Sequence, residues 1–268
     1  MSSPGLVTGE VRAVCCTAAV TAHSSAIAWD TVGSVGGFFA LRTEEPRNGS
    51  PALLAHVYDS SRAAPDRDPL SFRVAKVAAR LAAPEPRVAA SIAHLGLAAR
   101  LWSLALGPAA LHGRVPDLDP RRLRWDADGT SPDDLWLSGD ATFPADADRV
   151  LAVVQDGHLT PLAAALRARY RISPALLRGN AGSALAGAAR ELHAWAERER
   201  RPEVGERALA LAAELFAHPD LRVTGTLRGT AFRRRSCCLY YRCPGGGLCG
   251  DCCFDRPPQR SSHRTPPE

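Results

Sequence analysis

The sequence predicts an α+β fold that is predominantly α-helical, with a mainly helical body, an N-terminal β-hairpin region and a C-terminal cysteine-rich segment. Three observations predict it. Apolar residues recur at helical spacing in several stretches between Asp68 and Ala217, and prolines stand where those stretches begin. Six of the eight cysteines lie between Cys237 and Cys253. The residues just before them, Val223 to Phe232, alternate small, β-branched and glycine positions in the manner of a strand or hairpin.

At 268 residues, 46% apolar and 23% charged, the chain can bury a core without a metal to hold it together. The cysteines therefore need a reason beyond folding. A secreted disulfide scaffold would spread its bridges through a much smaller chain, so clustering at one end argues for metal or redox chemistry in a reducing, cytoplasmic setting. Lys76 is the sole lysine, and the arginine excess reflects composition more than a nucleic-acid surface; no nucleic-acid partner is expected. Charge is nonetheless placed unevenly: from Leu221 onward nine arginines face three acids, a net +6, beside the cysteines. No apolar run reaches the ~18 residues of a spanning helix, since the best, Leu101 to Leu111, is short and contains Ser103 and Pro108. The N-terminal stretch through Cys15 and Cys16 carries Glu10 ahead of Arg12 and reads poorly as a secretory signal; its two thiols read as core or incidental.

Three divisions follow: a body over 1–220, a cysteine segment over 221–256, and a Pro-, Arg- and Ser-rich tail over 257–268 expected to be disordered. Within the body, Phe38 to Leu41 and Ala52 to Val57 flank Asn48-Gly49, which predicts strands within 36–58 joined as a hairpin. Asp68-Pro69 opens a helix to about Ala83, with apolar residues at Phe72, Val74, Val77 and Leu81 in helical spacing. After Pro84-Glu85-Pro86 a strongly apolar, buried helix runs from Val88 to Leu106. Gly107 to Ala145 reads as loops with short strands. Thr160-Pro161 and Ser173-Pro174 supply N-caps with proline at the first helical position, for helices over 162–170 and 174–200; a last helix spans Glu203 to Ala217.

Cys249 and Cys252 form a C-x-x-C, whose sulfurs converge on one metal from a single turn. The other half of the site must come from Cys237, Cys238 or Cys243. Neighbours in extended chain point oppositely, so Cys237 and Cys238 can both ligate where the backbone bends, or where they serve different irons of a two-iron cluster. Thiolate-only ligation suits zinc too, although zinc ribbons present two C-x-x-C knuckles where this chain has one. A competing set, Cys243, Cys249 and Cys252, has the C-x5-C-x2-C spacing of some ferredoxins, but no cysteine follows Cys253 to complete it.

The pattern C-C-x10-C-x2-C, filled by Cys237, Cys238, Cys249 and Cys252, resembles the signature of FhuF-like ferric siderophore reductases. Ala89 to Gly96, Arg100-Leu101-Trp102 and Gly179 to Gly187 resemble further blocks of that family. The resemblance implies a [2Fe–2S] cluster on those four cysteines and a siderophore pocket in the helical body. It further implies one-electron reduction of Fe(III) in a ferric, hydroxamate-type siderophore; with no fingerprint for a bound flavin or NADPH, the electrons are expected from an external ferredoxin or flavodoxin system. Cys243 and Cys253 fall outside the pattern and leave alternative pairings open. Arg233, Arg234, Arg235 and Arg242 should favour the reduced cluster, and amides of Gly245, Gly246, Gly247 and Gly250 can approach sulfur. Substrate-binding candidates are His94, Arg100, Asn180 and Ser183, each weighed against a packing role; Asn180, Ser183 and Gly187 read more readily as a helix–helix contact. No dinucleotide fingerprint or P-loop supports a bound flavin or NADPH. An electron carrier or redox sensor and a zinc-binding interaction module are the competing readings, and peripheral contact of the arginine-rich end with the inner membrane face is compatible with all three.

Overall fold

The computed structural model describes residues 27–44, 46, 51–59 and 68–258. Cys15, Cys16 and most of the expected tail lie outside them. At the centre is α4 (Pro86–His112), which packs chiefly against α7 (Pro174–Arg198) and also against α3 (Pro69–Leu81) and α8 (Pro202–Ala217). Alanine-rich faces let these helices approach closely. From Leu97 to Leu111 α4 is buried on nearly every side. Helix α3 starts as its sequence requires, with the Asp68 carboxylate accepting from the Ser71 amide at 3.1 Å and Pro69 in the first turn. Leu70 and Val74 face the core, whereas Phe72 is exposed.

Helix α4 runs six residues beyond its predicted end, through Pro108 to a left-handed cap at Gly113. Phe39 and Val32 close on Gly107, where a Cβ would stand 2.9 Å from the Phe39 ring, and this packing sustains the last turns. By length and composition α4 can cross a bilayer, which the search for an uninterrupted apolar run missed; 78% of its most apolar window is buried among the other elements.

Among the described residues the predicted N-terminal hairpin is not formed. Phe38 and Phe39 lie in a turn after α1 (Trp29–Gly33). Ala52–Leu53 is a two-residue strand, β1, leading directly into α2 (Leu54–Tyr58). Strand β1 pairs with β3 (Leu123–Trp125), which pairs with β4 (Leu135–Leu137), so its partners come from the Pro- and Asp-rich region rather than from its neighbour in sequence. Residues 47–50, the expected turn, lie outside the described residues. A second small sheet joins β2 (Arg114–Pro116) to β5 (Thr142–Pro144). Trp125 and Trp136 stand within strands β3 and β4.

Thr160 is not an N-cap. The chain is already helical from α5 (Ala147–Leu151) through a π-helical stretch (Ala152–Leu159), which continues into α6 (Thr160–Arg169). Proline at position 161 is tolerated because the wide π turn precedes it. Helix α7 begins at Pro174 as predicted. Pro219–Arg222 (α9) then leads into the antiparallel pair β6 (Gly225–Arg228) and β7 (Ala231–Arg234), the hairpin predicted ahead of the cysteines.

Candidate metal centre

The hairpin reaches α7 because α7 offers glycine where the hairpin arrives. A Cβ on Gly179 would collide with Ser236 Oγ, and one on Gly182 with Thr224 Oγ1 and, at 2.9 Å, Thr224 Cβ. With those faces bare, the backbone of Arg235 pairs to Thr224 (2.9 Å) and that of Arg234 to Asp251 (3.0 Å), which brings the two halves of the cysteine segment side by side.

A chain of buried polar groups then fixes the segment to the body. Asn180 Nδ2 donates to the Ser91 carbonyl at 2.8 Å, and Ser91 Oγ donates to the Cys238 carbonyl at 2.8 Å. Asn180 Oδ1 accepts from Arg234 Nη2 at 2.6 Å, and Arg234 Nε donates to the Ser236 carbonyl at 2.9 Å. On the opposite flank, Asp251 accepts from Ser183 Oγ and pairs with Arg190 at 3.4 Å. Asn180 and Ser183 thus hold the cysteine segment, a contact that neither the helix–helix reading nor the substrate reading anticipated.

Leu239, in the left-handed region at φ 67°, turns the chain sharply after the Cys237-Cys238 pair and into the 3-10 turn Tyr240–Arg242. The bend lets both thiols face the same space: Cys237 and Cys249 each hydrogen-bond to Cys238 through their side chains. Donation from both neighbours holds the Cys238 thiol well below its usual range, so this sulfur is the first to ionise; burial opposes the shift, and the amide of Tyr240 and the charge of Arg234 assist it. Cys252 sits electrostatically against Cys249 and Cys253, and Cys253 reaches Cys237. Burial, and then Cys252, push the Cys253 thiol up. Cys243 is buried beneath the 3-10 turn, with its amide donating to the Tyr240 carbonyl. All six thiols are free of disulfides. Among the described residues no three Cys, His, Asp or Glu side chains close on a single point that would hold one metal ion.

The amides that reach sulfur are those two residues after a cysteine: Leu239 to Cys237 Sγ at 3.2 Å and Phe254 to Cys252 Sγ at 3.4 Å. Of the glycine amides expected in this role, that of Gly246 serves the loop instead. Gly246 donates to the Cys243 carbonyl and packs so closely on Tyr240 that a Cβ would strike its carbonyl oxygen. The four arginines also separate. Arg234 is buried; Arg242 pairs with Glu85 at 2.6 Å, Arg233 with Asp255 at 2.8 Å, and Arg235 is exposed. One arginine delivers its charge inside the protein, and the other three stand where water and salt screen them.

The remaining candidates do not share one pocket. Arg100 is buried in an ion pair with Asp134 (2.9 Å) and donates to the Gly37 carbonyl at 3.0 Å, tying α4 to two loops. Trp102 is wholly buried. His94 is buried against a separate cavity between α4, α6 and α7.

Thiols free of disulfides, a bend that gathers them, amides aimed at sulfur and a buried cation form a donor set suited to an iron–sulfur cluster, whose two irons divide four thiolates between them. The class is that of a [2Fe–2S] protein with a helical body. Residues 234–254 match the family described as the FhuF 2Fe-2S C-terminal domain, so the cysteine segment is similar to that domain, carries its cluster motif and is a site for a [2Fe–2S] cofactor. No curated protein matches it.

Proposed function

We propose that the protein is a cytoplasmic ferric siderophore reductase, holding its cluster through Cys237, Cys238, Cys249 and Cys252. The observation that carries this reading is the meeting of Cys237, Cys238 and Cys249 sulfurs in a half-exposed loop beside the buried Arg234. Bound there, the cluster supplies one electron at a time. Exposed Leu248 and Phe254 flank the thiols, so the loop offers a docking partner little insulation. An external donor of the ferredoxin or flavodoxin kind supplies the electron, and Fe(III) in the chelate takes it up as Fe(II), which hard oxygen ligands hold weakly. The siderophore survives intact. The substrate class of this reading is the ferric hydroxamates, whose hard oxygen ligands hold Fe(III) tightly and release Fe(II).

The test is anaerobic. Protein reduced with dithionite, freed of excess reductant, is mixed with a ferric hydroxamate, and visible absorption and EPR follow reoxidation while a ferrous chelator counts the Fe(II) released. Prompt reoxidation with stoichiometric Fe(II) supports reduction of the chelate. Reoxidation by any small oxidant, with no preference for a ferric chelate, would identify an electron carrier instead, and a colourless protein containing zinc would identify a structural site.

A further inference from the structure

Cys253 has no place in the C-C-x10-C-x2-C pattern, yet the fold brings it to a member of that pattern. Its side chain is in hydrogen-bond contact with the Cys237 thiol, and both residues keep part of their surface in solvent. Contacts between protein groups hold the two together. The Arg234 amide donates to the Asp251 carbonyl at 3.0 Å, Arg233 Nη2 donates to the Cys253 carbonyl at 3.2 Å, and Arg233 pairs with Asp255 at 2.8 Å. On the other side, Ser236 Oγ donates to the Ala175 carbonyl at 3.0 Å and the Leu239 amide to Cys237 Sγ at 3.2 Å. Chain on either side of the pair is therefore anchored, and the fold itself makes the two sulfurs meet.

Cys237 also touches Cys238, but its chain neighbour is a poor disulfide partner. Adjacent Cα atoms stand about 3.8 Å apart, short of the roughly 4.4–6.8 Å that a disulfide spans. Beyond that neighbour, Cys238 contacts Cys249. The sulfurs thus sort into two pairs, Cys237 with Cys253 and Cys238 with Cys249. With the ligand set proposed above, the first pair joins a ligand to a thiol that the cluster does not use.

We propose that Cys253 is a redox modification site: when the cluster is lost it closes a disulfide with Cys237, and the closed bond bars rebuilding of the cluster until a thiol reduces it. The oxidant is a low-molecular-weight disulfide. Cys253 gives up its proton and displaces one half of that disulfide as a thiol, forming a mixed disulfide. Cys237 then gives up its proton, attacks the Cys253 sulfur and releases the other half. Two protein thiols lose two electrons and two protons, and one small disulfide becomes two small thiols. While the cluster is bound, Cys237 is engaged and the pair stays open. The inference rests on a [2Fe–2S] cluster held through Cys237, not on reduction of a siderophore.

The experiment compares the whole protein, purified anaerobically, with the same chain stripped of its cluster by a chelator, both treated with oxidised glutathione. Free thiols are then alkylated in denaturant, and the chain is cut after arginine and before aspartate. These cuts separate residues 236–242 (Cys237, Cys238), 243–250 (Cys243, Cys249) and 251–254 (Cys252, Cys253) for mass spectrometry, with fragmentation telling neighbours apart. A link between Cys237 and Cys253 is expected in the stripped chain and absent from the loaded one. Iron and sulfide should restore the visible spectrum of the linked protein only after dithiothreitol. Closure should be at least about tenfold faster than for the same stripped chain in urea, because folding holds the sulfurs together. Cys253→Ser should lose the link and leave Cys237 as a mixed disulfide with glutathione. Equal rates in urea and buffer, or a link of equal yield in the loaded protein, would overturn the proposal. So would a link from Cys253 to Cys238, or one between Cys249 and Cys252 with Cys237 and Cys253 both alkylated. Purified protein without iron and sulfide would overturn the cluster reading too, and shows before glutathione is added; a missing link in iron-loaded material, once stripped, overturns this inference alone.

Discussion

Arg234 and Asn180 meet at 2.6 Å in the interior, and through this bond a helix of the body positions a full positive charge behind the cysteine loop. Asn180 has both ends committed, donating to Ser91 and accepting from Arg234, while Ser91 in turn holds the Cys238 carbonyl. A buried guanidinium left unanchored would be costly. Here its Nε and Nη2 are satisfied by oxygen, and the thiolates that bind the cluster supply the counter-charge.

This arrangement predicts the redox potential's dependence on Arg234. At an effective dielectric of about 20, a buried unit charge beside the loop contributes on the order of 1–2 kcal/mol; for a one-electron couple, at about 59 mV per tenfold change in equilibrium, that is on the order of 40–90 mV. Arg234→Gln should lower the midpoint potential by tens of millivolts in an EPR-monitored titration. Arg235→Gln, on the exposed face, should move it far less, and by an amount that shrinks further in high salt. Equal shifts for the two variants would mean that burial confers nothing on Arg234.

The sulfur geometry makes the cysteines unequal. Cys238 joins Cys237 to Cys249, so Cys238→Ser should abolish the visible spectrum and the bound sulfide, as should Cys249→Ser and Cys252→Ser. Cys243→Ser should retain the cluster, since that thiol falls outside the C-C-x10-C-x2-C set. Cys253 is the informative case because it reaches Cys237. A retained cluster in Cys253→Ser fixes the ligand set proposed above, and a lost one exchanges Cys253 for a member of it. Iron and sulfide analysis of the anaerobically purified variants reads the result.

Much of this was legible beforehand. The helices announced themselves because Pro69, Pro86 and Pro174 mark their starts and their apolar spacing is regular, and the cysteine pattern carries its chemistry in four residues. The β structure was hidden because β1 pairs with β3 across some seventy residues, and two- or three-residue strands leave no alternation to read. The roles of Asn180 and Ser183 were obscured for a related reason. Their partners Arg234 and Asp251 lie more than fifty residues onward, and a small polar stripe on a helix looks the same whether a helix or a hairpin covers it. One signal was available: Gly179 and Gly182 on that stripe, bare where another backbone arrives.

Those glycines yield a paired prediction. Gly182→Ala must displace Thr224 or Phe232, and overpacking of this kind costs about 1–3 kcal/mol. Because the strain falls where the hairpin meets α7, cluster content should fall along with the melting temperature. Gly187→Ala meets nothing nearer than Arg190 Nη2 at 3.9 Å, and replacing a mid-helix glycine should raise stability by up to about 1 kcal/mol. If Gly182→Ala leaves both melting temperature and iron content unchanged, the hairpin does not depend on the bare helix face.

Acid should destabilise the body through two buried histidines. Burial lowers the pKa of His94 to about 3 and that of His158 to about 4, the latter while its Nε2 stands 2.6 Å from the Leu118 carbonyl. Unfolded, each titrates near 6.5, so between that value and the folded pKa the unfolded chain binds more protons, and stability falls as pH falls. The slope approaches about 1.4 kcal/mol per pH unit for each histidine. Carboxylates contribute to the same trend, so the measurement is a difference: urea unfolding of wild type and His94→Gln between pH 7 and 5, a range mild enough for the cluster. The variant should lose about one proton's worth of slope. Parallel curves would mean that His94 charges in the folded protein despite its burial.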